Sequence, residues 1–189
     1  ETKQLFDLIR CGTIQMDSKK QSEEERVAFA RKQLAVEIGD LFPLIDEICY
    51  EENIVGFRGK TSAKTKALLA AFNLAVRWQA WDLLRREHDV QSFPIVGLSV
   101  RAIKAGTKTV PKSSLSSWYG ITNLSESKIA NLGVVKTLIE RHGCSHEALE
   151  ALTITNRNGN AGTGVDDTAD AILVAYVWAG RWARGKTMS

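Results

Sequence analysis

Three aspartates fall within five residues of one another at Asp166-Asp167-Thr168-Ala169-Asp170, immediately before the apolar run AILVAYVWA. Asp167 and Asp170 are three apart, so at the start of a helix both carboxylates project from one face. Acids in a first helical turn complement the helix dipole and cap free amides, and one of them would call for no other explanation. Three exceed what capping needs, because clustered carboxylates repel one another unless a cation sits among them. The motif therefore points to a divalent metal.

A second acidic position lies at Glu51-Glu52, where the apolar segment LIDEICY ends. An acid at the C-terminal end of a strand sits on the edge where α/β proteins place their active sites, although a solvated strand end is the more common meaning. Glu51 with the Asp-x-x-Asp pair would make an oxygen-only set suited to Mg2+, with Mn2+ as a substitute. No Cys/His spacing for zinc is present. Carboxylate clusters of this kind hold two divalent ions about 4 Å apart, one activating water and one stabilising the leaving oxygen in phosphodiester hydrolysis.

The charge distribution fits a polyanionic partner. Residues 1–55 carry a net −5, residues 56–112 carry +8 and residues 113–189 carry 0, which sum to the overall +3. Phe57, Arg58, Lys60, Lys64 and Lys66 follow the Glu51 segment, and Arg101, Lys104, Lys108 and Lys112 follow the next apolar segment. These cations are placed to hold phosphates, with Phe57 stacking on bases or anchoring its own loop. Lys128 opens a later helix and either faces the phosphates or is an ordinary solvated lysine. No serine elbow accompanies His88, His142 or His146, and no Walker or Rossmann glycine fingerprint is present.

The elements that must position these residues follow from periodicity. Leu5 to Met16 is apolar on both parities and predicts a strand covered on both faces, or an edge strand with a bulge near Gly12. Ser22 and Glu25 make a capping box, and Val27, Ala30, Leu34, Ile38 and Leu41 share one helical face, with a break near Pro43. Leu44–Tyr50 and Phe93–Val100 predict strands. Helices are predicted from about Thr61 to His88, from Ser127 to His142 and from about Asp166 to Trp182, with a glycine-rich loop at Asn156–Gly164. Strands alternating with helices give an α/β class with a mixed central sheet flanked by helices.

The chain has 189 residues, 44% of them hydrophobic, enough for one domain of ordinary size with a real core. No repeat or second domain is read. No stretch reaches the ~18–20 apolar residues a membrane span needs, and the polar start ETKQLFDLIR does not read as a signal peptide. Cys11, Cys49 and Cys144 are odd in number and far apart, which argues against a disulfide framework and for a reducing compartment.

Taken in order, these segments resemble the RuvC-type Holliday-junction resolvases of the ribonuclease H-like superfamily. The likeness is carried by Cys11-Gly12-Thr13-Ile14 as the second strand, Ile48-Cys49-Tyr50-Glu51-Glu52 as the glutamate strand, and Asp167-Thr168-Ala169-Asp170-Ala171 as the start of the terminal helix. It spans nearly the whole chain, and its Asp-x-x-Asp-Ala start is the more specific part. The resemblance implies a ribonuclease H-like fold and a homodimer that binds four-way DNA junctions and makes paired magnesium-dependent cuts, in bacterial or phage-infected cytoplasm. It implies metal-binding catalytic roles for Glu51, Asp167 and Asp170, with Asp166 as the alternative to Asp167. It also matches Phe57 to the junction-contacting loop and Lys128 to a phosphate contact.

The departure is at the start. The family's first strand carries an Asp-x-Gly whose aspartate is a fourth metal ligand, and none precedes the glutamate strand here. Asp7 lies too close to Cys11-Gly12-Thr13 to be that residue. The expectation is therefore a single nuclease domain over residues 1–189 that lacks its first strand, with a segment preceding Glu1.

Overall fold

The computed structural model describes residues 7–15, 20–52, 63–87, 95–120 and 124–186. It is a mixed helix-and-strand protein in two compact units. One unit is continuous in sequence, Ile14–Ser99; the other joins Glu1–Thr13 to Val100–Ser189 and is called the split unit below.

In the continuous unit the capping box forms as the sequence predicts. Ser22 Oγ accepts from the Glu25 amide at 3.2 Å, and the Ser22 amide donates to Glu25 Oε2 at 2.7 Å, opening helix α1 (Glu23–Ile38). The chain then tightens into a 3₁₀ turn, Gly39–Leu44, because Pro43 has no amide hydrogen to continue the α-helical ladder. This turn consumes the start of the apolar segment, so strand β1 is only Ile48–Glu51. The long helix α2 (Ala63–Glu87) leads to strand β2 (Ile95–Leu98).

The two strands pair in parallel, Ile48 opposite Ile95 and Glu51 opposite Leu98. A parallel pair joined through a helix is the βαβ unit expected when hydrophobic segments alternate with a helical stretch. α1 packs on α2, with Ala30, Ala80 and Leu84 buried and Arg31 Nε donating to Gln79 Oε1 at 3.1 Å. Arg77 of α2 lies over the Tyr50 ring, 4.5 Å from its centroid, and so ties the helix to β1.

The split unit is helical: α3 (Val100–Thr107), α4 (Glu126–His142), α5 (His146–Thr153) and α6 (Val165–Lys186). α6 packs against α3, α4 and α5. Its apolar run supplies Ala169, Ile172, Leu173, Val174 and Val177 to a core completed by Leu132, Val135 and Leu138 of α4 and Leu152 of α5. Ser145 caps α5 by accepting from the Ala148 amide at 3.0 Å, and the buried Tyr119 hydroxyl donates to the Leu152 carbonyl.

Three expectations change. The mixed central sheet is, among the described residues, a two-stranded parallel sheet. The predicted N-terminal strand is reduced in residues 7–15 to a single parallel bridge, Leu8 to Cys144, with the Ser145 amide donating to the Leu8 carbonyl at 2.9 Å. Polar Asp7 and Arg10 and the glycine at position 12 interrupt the apolar pattern that a longer ladder would require. Finally, α3 and α5 occupy stretches with no predicted helix; at eight residues each they are shorter than the ~11–18-residue window over which a helical period is read.

Candidate active site

The acidic motif opens α6 as predicted, with the helix starting at Val165. The turn before it is tightly specified. Gly164 has φ +83°, and a Cβ there would lie 2.9 Å from the Thr13 side chain. Both the backbone conformation and the close approach select glycine.

Thr13 Oγ1 donates to the Gly164 carbonyl at 2.8 Å and stands 2.8 Å from Thr168 Oγ1, which reaches the same carbonyl at 3.0 Å. Two residues earlier, the Cys11 thiol donates to the Ala148 carbonyl of α5 at 3.3 Å. The Cys11-Gly12-Thr13 segment is thus fastened to the first turn of the aspartate helix and to its neighbour. Burial, with Cys144 and Glu147 nearby, pushes the Cys11 thiol up to about 11, so it is a neutral donor rather than a thiolate at neutral pH.

Within the acidic turn the three carboxylates have different surroundings. Asp166 is largely covered, its side chain 13% exposed, and forms a salt bridge with Lys128 at the start of α4. Asp170, one turn on and half-buried, accepts a hydrogen bond from Asn131 Nδ2 to Oδ1 at 2.7 Å. Lys128 and Asn131 are three apart on α4, and Asp166 and Asp170 are four apart on α6, so two helices running in the same direction meet through two polar rungs. Asp167 is exposed.

Magnesium prefers unencumbered carboxylate oxygens and commonly binds through one or two of them, filling the rest of its shell with water and substrate phosphate. Asp167 and Oδ2 of Asp170 fit that requirement. Asp166, engaged by an ammonium group, fits it poorly. Among the described residues no group of three or more His, Cys, Asp or Glu is arranged to hold a metal.

Glu51 ends β1 in the continuous unit and is exposed. Its neighbour Glu52 donates its amide to the Leu98 carbonyl at 2.9 Å and lays its side chain across Gly97. Lys104 and Lys108 are exposed on and just after α3 in the split unit, as are Arg101 and Lys112. Lys128 is the Asp166 partner. Phe57, Arg58 and Lys60 lie outside the described residues, and the side chains of Lys64 and Lys66 are not described.

Sequence reasoning missed Asn131 and the role of Thr13. The signal for the first was present: Lys128-x-x-Asn131 has a one-turn spacing that matches Asp166-x-x-x-Asp170. Thr13 carried no such signal, since its partners are more than 150 residues away. No protein-family model matches the chain, nor does any curated protein or solved structure. Among the described residues no helix is long and apolar enough to cross a membrane.

Proposed function

We propose that the protein is a structure-selective, divalent-metal-dependent endodeoxyribonuclease that resolves four-way DNA junctions as a homodimer. The observation that carries this reading is the docking of Cys11-Gly12-Thr13 on the first turn of the Asp167/Asp170 helix. Two of the three segments behind the resolvase resemblance thereby meet in one unit, and the third, the glutamate strand, ends in an exposed acid within a parallel βαβ unit.

Asp167 and Asp170 would hold Mg2+, and the resemblance implies a metal-binding role for Glu51 as well. The bound ion would activate water and stabilise the leaving oxygen. Lys128 fixes Asp166, and Asn131 orients Asp170 by holding one oxygen and leaving the other available. Arg101, Lys104, Lys108 and Lys112 offer a basic surface for phosphates. For the dimer, α2 exposes Leu74 and Trp78, at 52% and 55%, one turn apart and in line with Ala67, Ala70 and Ala71, an apolar stripe suited to a second copy.

The test is cleavage of a synthetic four-way junction in Mg2+. The parent chain is expected to cut it, and Asp170→Asn to cut roughly 10²-fold more slowly or less, with junction binding retained. Binding should weaken as salt rises. Competition by linear duplex and RNA:DNA hybrid separates junction selectivity from a ribonuclease H-like activity on another substrate. A parent chain that binds junctions and never cuts them defeats the nuclease reading and leaves the second one, a non-cleaving junction-binding protein. That alternative is favoured by the protein partners already on Asp166 and Asp170, which satisfy two of the three acids without a metal.

A further inference from the structure

The other end of α6 has the opposite character. From Ala171 to Lys186 the helix contains no acidic residue, and neither does residues 100–120, which form α3 and the loop after it. Between α3, the end of α4 and this part of α6 lies an open cleft of about 720 Å³, in the size range of small-ligand sites.

Its shape follows from small side chains. Ala102 and Gly106 of α3 and Gly180 of α6 leave the floor low, and Gly106 permits the close crossing, since a Cβ there would lie 2.7 Å from Val177. One wall is aromatic: the rings of His142 and Tyr176 stand 6.4 Å apart and tilted by 41°. Arg181 is exposed at the rim and Thr109 adds a hydroxyl. Just outside, Arg101, Lys104 and Lys108 alternate with the α3 residues that line the cleft, and all three are exposed.

A low floor and an aromatic wall accept a flat ring, and cations on the acid-free stretches of α3 and α6 accept an anion joined to it. We propose that this cleft binds a nucleoside monophosphate group, the base against His142 and Tyr176 and the phosphate at Arg181. The same chemistry is offered by a free nucleotide and by the phosphorylated end of a DNA strand. At ~1.5 Å of rise per residue, Arg181 stands about 16 Å along α6 from Asp170, so this is a site separate from the acidic turn. The inference does not depend on the nuclease reading.

The experiment titrates the full chain with dAMP, deoxyadenosine and inorganic phosphate by calorimetry, alongside Arg181→Gln and Gly180→Leu. Gly180 lines the cleft and a Cβ there meets nothing within 4 Å, so the position has room for a side chain to begin. Saturable dAMP binding is expected at millimolar concentrations or below, with deoxyadenosine and phosphate each roughly tenfold weaker and both variants weakening dAMP roughly tenfold. No saturation at millimolar dAMP, or dAMP binding that either folded variant leaves unchanged, overturns the proposal. If Gly180→Leu fails to fold, Arg181→Gln decides alone. Repeating the titration with a 5′-phosphorylated single-stranded oligonucleotide identifies the source. Parallel loss in both variants assigns the cleft to a strand end, and loss confined to dAMP assigns it to the free nucleotide.

Discussion

The two ends of α6 are built on opposite plans. Its first two turns gather three acids, bury part of that charge against α4 and are entered through a glycine that admits no side chain. Its C-terminal half has no acid, and beside α3 its small residues leave a cleft. One end is closely specified, with Asp166 and one oxygen of Asp170 committed to partners on α4; the other is open and electropositive. The difference teaches that the helix serves two purposes, a rigid mount at one end and a receptive surface at the other.

Glycines at the two ends should separate these plans most sharply. Gly164→Val forces a branched side chain into positive φ and against Thr13, and is expected to cost about 2–5 kcal/mol. Gly180→Ala, at a position open in space, should be neutral or stabilise the protein by up to ~1 kcal/mol through helix propensity. Thermal or chemical melts of the two variants check the contrast. Equal costs would mean that the two ends are equally constrained.

The polar rungs come next. Lys128→Met strands the largely covered Asp166 carboxylate and should cost about 1–3 kcal/mol, most of it recovered when Asp166→Asn is added. Additive losses in that double-mutant cycle would show that the pair contributes nothing to holding α4 on α6.

The last effect is alkaline. The Cys11 thiol is raised from 9.0 to about 11, first by burial and then by Cys144 and Glu147. A raised acid contributes stability that is complete below its unfolded value near 9 and is lost as pH climbs through the folded value near 11. Cys11→Ala should therefore flatten the decline in stability over that window, as read by denaturant melts at several pH values. An unchanged slope would remove Cys11 from the account and leave Cys49 and Cys144, whose thiols burial also pushes up, and the buried Tyr119, raised to about 12, as the groups to test.

The element starts and stops were legible in the sequence where their signals are local. Ser22 with Glu25 announced the start of α1, Pro43 marked where its ladder fails, and the acids before AILVAYVWA marked the start of α6. The segment around Cys11 misled because apolar residues on both parities describe any covered stretch, whether it pairs as a strand or simply lies against helices. The cleft gave no local signal at all. It arises where Ala102, Gly106 and Gly180, each unremarkable alone, are stacked by the crossing of α3 and α6.

The hydroxyl contact between Thr13 and Gly164 spans 151 residues of chain, and this sets an order of events during synthesis. The continuous unit is complete once Ser99 has emerged from the ribosome, whereas the split unit waits for α6. At ~5–20 residues per second, the delay from Ser99 to Asp170 is roughly 4 to 14 s. Until Cys144 and Ser145 are made, buried Leu8 has no native surface to cover it, and Thr13 waits longer still for Gly164 and Thr168. The first part of the split unit to be made is thus among the last to find its place, and the unit closes only when the acidic turn arrives to receive it.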